Sequence, residues 1–72
     1  MEWVTLALAI AKEVASDAPA LLQVIGIIKN GVEEGRAPTA DEWKVLDSIA
    51  DQNNTTIAEI AADHGIKVPA AS

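Results

Sequence analysis

The sequence predicts an all-α fold: a short N-terminal helical hairpin plus one longer C-terminal helix, assembled as a homo-oligomeric helical bundle. Three observations carry that expectation. Half of the residues are hydrophobic, and Trp3 and Trp43 are the only aromatics; Ala and Leu favour helix, while Ile and Val fill helix interfaces. The apolar positions recur every three or four residues along most of the chain, which is the helical period. The chain has 72 residues and no cysteine, so it makes one domain that buries only about 60% of its unfolded surface, without a disulfide staple. A second copy is the staple left over.

The first helix is expected over 3–15. Trp3, Ala7, Ile10 and Val14 share one face, with Val4, Leu8 and Ala11 beside it and Thr5, Lys12, Glu13 and Ser16 opposite. Ser16-Asp17-Ala18-Pro19 is a break and restart: Ser16 or Asp17 caps, and Pro19 is tolerated in a first turn. The second helix, over 19–30, carries Leu21, Leu22, Val24, Ile25, Ile27 and Ile28 in nearly every direction. A helix apolar all round needs cover all round, and so short a chain has little to supply it. Leu21, Val24, Ile25 and Ile28 are therefore candidate subunit contacts. Gly26 interrupts this run at a cost of about 1 kcal/mol relative to Ala, which argues for close contact with a neighbouring helix over a ligand.

Asn30-Gly31 reads as the end of that helix, because both residues accept a left-handed cap. Residues 32–38 read as a loop, with room for one helical turn at Val32-Glu33-Glu34. Thr39-Ala40-Asp41-Glu42 is a capping box. From Trp43 the positions Leu46, Ala50, Asn53, Ile57, Ile60 and His64 keep a 3-4 alternation, a heptad seam closed by Gly65. Asn53-Asn54-Thr55-Thr56 has poor helix propensity, and Thr56 to Glu59 is a second capping box. Either one helix spans 40–64 or it breaks near Asn54; the unbroken phase of the seam favours one helix. Asn53 is then a polar seam residue that fixes register, and Leu46, Asn53, Ile57 and Ile60 align a helix pair. The tail over 66–72, with Pro69, is expected to fray.

Charge narrows the function. A net charge of −6 argues against nucleic acid, which wants a basic footprint, and against an anionic membrane surface; it suits a basic partner or a DNA-mimicking surface. The N-terminus lacks the positive region of a secretory signal, and the apolar runs Trp3–Ala11 and Ala18–Ile28 fall short of the roughly 20 residues that span a bilayer. A cytoplasmic protein is expected, with a membrane-active, holin-like hairpin as a remote alternative. Without such a signal the sequons at Asn53 and Asn54 carry no meaning.

Thr56 to Ile66 resembles the second helix and turn of helix-turn-helix repressors, but only Lys67 to Ser72 is left for a recognition helix, so DNA reading is not expected. Asp51, Asn53 and Thr55 alternate as in a calcium loop, yet Thr56 stands where glycine is needed and Ala62 where a carboxylate is. The pairs Asp47/Asp51 and Glu59/Asp63 read as solvated faces, and His64 as a partner of a helix C-terminus. No nucleophile, base and orienter come together, so no enzyme, cofactor or metal is implied. The candidate ligand site is anionic: Arg36 and Lys44, with Lys29 near them, Trp43 to stack, and the free amides of the Thr39-capped helix. Trp3 and Trp43 otherwise plug the bundle or a subunit contact.

The stretch APTADEWKVLDSIADQNN, with Thr39, Glu42 and Trp43 opening a helix after a glycine-containing connector, resembles small accessory proteins of tailed phages and prophages. Together with the patterning above, that resemblance leads to the expectation of a non-enzymatic, homo-oligomeric, phage-encoded binding protein in the host cytoplasm, an accessory or host-factor inhibitor acting by protein–protein contact. It also raises an alternative, an oligomeric sponge that sequesters a small anionic nucleotide immune signal, for which Arg36, Thr39, Trp43 and Lys44 above are the candidate ligand residues.

Overall fold

The computed structural model describes residues 2–66. They form four helices: α1 (Glu2–Glu13), α2 (Ala18–Glu34), α3 (Ala40–Gln52) and α4 (Ile57–Asp63), with no strand among the described residues. Each helix packs on the next, and α4 closes back on α1. The radius of gyration is 11.0 Å, which is the value of about 11 Å expected for a folded chain of this length.

In α1 the expected face of Trp3, Ala7, Ile10 and Val14 is buried. Its flank differs from expectation: Leu6 and Ala9 are buried, whereas Leu8 is exposed and Val4 and Ala11 lie at the margin. The covering helices approach from the Leu6 side, so the stripe turns toward them.

Helix α2 begins where the break was expected. The Asp17 carboxylate accepts weakly from the Ala20 N–H at 3.5 Å, and Pro19 lies in the first turn. It then runs four residues past the expected end at Asn30. Gly31 is not its cap but a buried position inside it; a Cβ there would stand 2.5 Å from the Trp3 ring and 2.8 Å from the Arg36 carbonyl. The missing side chain is the seat of the indole. The helix stops instead at Gly35, whose φ of 64° lets the Gly35 and Arg36 N–H groups donate to the Val32 and Gly31 carbonyls, a Schellman ending.

The single C-terminal helix expected over 40–64 is two helices. Asn54 takes the left-handed conformation at φ 60°, and the Asn54 and Thr55 N–H groups donate to the Asp51 and Ala50 carbonyls. This is the same ending, with asparagine in place of glycine. Asn53 caps α3, its Nδ2 donating to the Ile49 carbonyl at 2.9 Å, so it fixes no inter-helix register. Thr56 opens α4 by accepting from the Glu59 N–H at 3.1 Å. The seam kept its phase across the gap because α3 and α4 each bury one face of their own. Gly65 ends α4 as expected, again left-handed, and Ile66 is held against the core instead of fraying. The rest of that tail, 67–72, lies outside the described residues.

The core is aliphatic: Leu6, Ile10, Val14, Val24, Leu46 and Ile60 are fully buried, and no polar side chain is buried among the described residues. Several expected subunit contacts are thereby placed elsewhere. Val24, Leu46, Ile57 and Ile60 are core residues of the single chain, and a second copy would reach them only by opening it. Ile49, a buried residue on α3, lies outside the expected heptad seam.

Candidate functional site

The residues expected to hold an anion meet at the α2–α3 connector, but the chain already fills that place. The Thr39 N–H donates to Glu42 Oε1 at 2.9 Å, and the Glu42 N–H donates to Thr39 Oγ1 at 3.2 Å, closing the capping box. Arg36 Nη1 donates to the same Glu42 oxygen at 2.9 Å, and its Nε and Nη2 donate to Glu34 at 3.1 Å. The Thr39 N–H and then the Arg36 guanidinium hold the Glu42 carboxyl below its usual value of 4.5. The Glu34 and Glu42 carboxylates in turn keep Arg36 more basic than usual. The guanidinium and the helix N-terminus expected to face a ligand are thus engaged by the protein's own carboxylates. Trp43 packs half-buried on the core, while Lys44 is exposed with no ion-pair partner among the described residues. Thr39, Trp43 and Lys44 are at the start of α3, and Arg36 reaches that helix start through Glu42.

The carboxylate pairs lie on solvated faces. Asp47, Asp51, Glu59 and Asp63 are all exposed, and Glu59 is tied to the Thr56 cap. His64 Nε2 lies 3.6 Å from Glu13, a tie between the C-terminal ends of α4 and α1.

The chemistry left without a partner is apolar and lies on α2. Its buried side is Ala20, Val24, Ile27 and Gly31. Beside that stripe run Leu21, Ile25, Ile28 and Val32, spaced 4-3-4, with Leu22 adjoining. Leu21 and Ile28 are half-buried, whereas Ile25 is 47% exposed, Val32 51% and Leu22 69%. The helix is therefore covered on one side only, and its surplus is gathered into one coiled-coil-like seam. Of the interface residues expected from the sequence, Leu21, Ile25 and Ile28 are on this seam. Val32 was missed, because α2 was expected to end before it.

A second feature flanks the other side of α2. An open groove of about 330 Å³ lies between α2 and α3, lined by Gln23, Gly26, Ile27, Asn30, Asp41, Glu42 and Val45. Gly26 sits in it with nothing within 4 Å of where a Cβ would be, so the helix contact expected there is not made within the chain. Among the described residues no helix is long and apolar enough to cross a membrane. Compared with known protein families, curated proteins and solved structures, the chain matches no family model, no curated protein and no solved structure.

Proposed function

We propose that this chain is a non-enzymatic binding protein that works as a homo-oligomer, and that the exposed seam of α2 is its contact surface. The observation that carries the reading is the 4-3-4 row of Leu21, Ile25, Ile28 and Val32 beside a core the chain has already closed. Scattered exposed aliphatics are ordinary on a monomer, but a contiguous row marks an interaction site. The row is also electrically quiet. Between Ala18 and Val32 the only charged residue is Lys29, in a chain of net charge −6. Two acidic copies can meet on this face with little repulsion, whereas a basic partner would find no acid there to pair with.

Magnitudes set the strength. Burying an aliphatic side chain fully is worth about 1.5–3 kcal/mol. Leu22, Ile25 and Val32 from two copies, each about half available, then supply roughly 5–10 kcal/mol before the cost of association, about 4 kcal/mol or more. The roughly 1–6 kcal/mol left over predicts a weak, reversible assembly, seen at high-micromolar to millimolar concentration. Light scattering across a dilution series should show a mass above 7.5 kDa that falls on dilution. Ile25→Glu should leave a folded monomer of unchanged helicity. A wild-type protein that stays monomeric at high concentration overturns the proposal, and retention of the oligomer in Ile25→Glu removes this face from it.

A further inference from the structure

Resting on that reading, the geometry points to one arrangement of the second copy: α2 pairs with α2 of its neighbour antiparallel, about a two-fold axis between Ile25 and Ile28. The 4-3-4 spacing of Leu21, Ile25, Ile28 and Val32 reads the same from either end. An antiparallel pair therefore sets Ile25 level with Ile28 of the second copy, and Leu21 level with Val32. These are the mixed layers of antiparallel helix packing, and the contact is isologous.

Charge decides the direction. Helix α2 has no acidic residue in its first turn and no basic residue in its last, where Glu33 and Glu34 stand. At the C-terminal end this is the reverse of what a helix dipole favours, whereas the N-terminal end carries the Asp17 cap. Glu34 is paired with Arg36, but Glu33 is exposed at the negative end of its own helix. Parallel pairing would put both Glu33 side chains and both negative helix ends together. Antiparallel pairing separates the two Glu33 side chains and sets the negative end of each α2 beside the positive end of the other, an end that Asp17 already caps through the Ala20 N–H.

Single cysteines test this, because the chain has none of its own. Ala18→Cys and Glu33→Cys are both at exposed positions near opposite ends of α2. Mixed and treated with a short bis-maleimide, the two variants should give predominantly the mixed cross-linked dimer. Each variant alone should cross-link poorly, since like positions lie roughly 20 Å apart along the axis. A parallel pair gives the opposite pattern. Homodimeric cross-links, or no cross-link in variants that light scattering shows to be dimeric, overturn the antiparallel pairing and leave self-association standing. A monomeric wild type overturns both.

Discussion

Two glycines on one helix have opposite reasons to exist. Gly31 is glycine because Trp3 occupies the space a side chain would take. Gly31→Ala should destabilise the fold by about 1–3 kcal/mol through overpacking against ring and backbone, read as a fall in the urea midpoint at constant slope. Gly26 has open space around it and no left-handed backbone. Gly26→Ala should therefore stabilise by about 0.5–1 kcal/mol, the helix-propensity difference, in the same denaturation assay. It should leave the oligomer intact, since it lies off the seam. Glu42 makes a third prediction. Its carboxyl is held down by the Thr39 N–H and then by Arg36, so the folded state binds its proton less readily than the unfolded chain does. The stability this provides is present above pH 4.5 and is lost as pH falls through the lowered folded-state value. Glu42→Gln should be less stable at neutral pH, and its stability should fall less steeply on acidification, as measured by urea titrations at several pH values.

At the scale of elements, α2, α3 and α4 all stop the same way, each with one left-handed residue, Gly35, Asn54 or Gly65. Asparagine is the weaker of the two residue types in that role. Asn54→Gly should be neutral or stabilising, and Asn54→Ala should cost about 1 kcal/mol. Comparing thermal midpoints of the two variants checks this; equal losses in both would mean the side chain, not the backbone, matters. Helix α4 has only seven residues, too few to persist alone. It is held by the Thr56 cap and by burial of Ile57, Ile60 and Ala61. Thr56→Ala should cost about 1 kcal/mol, and the loss should appear as faster amide exchange confined to α4, because this helix has the least local support. The capping box at Thr39, the simple cap at Thr56 and the end at Gly65 were legible in the sequence because a cap is local chemistry. The choice between one long helix and a break at Asn54 was not, because propensity and periodicity pointed in opposite directions there.

For the molecule as a whole, the four-helix core is closed within one chain, so the proposed assembly would be separable from folding. If copies associate only when native, the melting temperature should rise with protein concentration in the wild type and not in Ile25→Glu. A melting temperature independent of concentration in both would count against association under those conditions. The closed core also shows why the expectation of complete burial for α2 went too far. Its aliphatics do point all round, but α1 and α3 cover Ala20, Val24, Ile27 and Gly31, and the excess is confined to one flank.

Local sequence was enough for the helical class, the Trp3-Ala7-Ile10-Val14 face, the restart at Ser16-Asp17, the capping box at Thr39 and the end at Gly65. Each follows from interactions among residues a few positions apart. Only the tertiary structure decided that Gly31 seats Trp3, that Val24, Leu46, Ile57 and Ile60 belong to one chain's core, and that Arg36 is satisfied by Glu34 and Glu42. Periodicity reports that a face is buried, never against what. The partner of a buried face is set by how the helices close in space, and one-dimensional spacing does not contain that information.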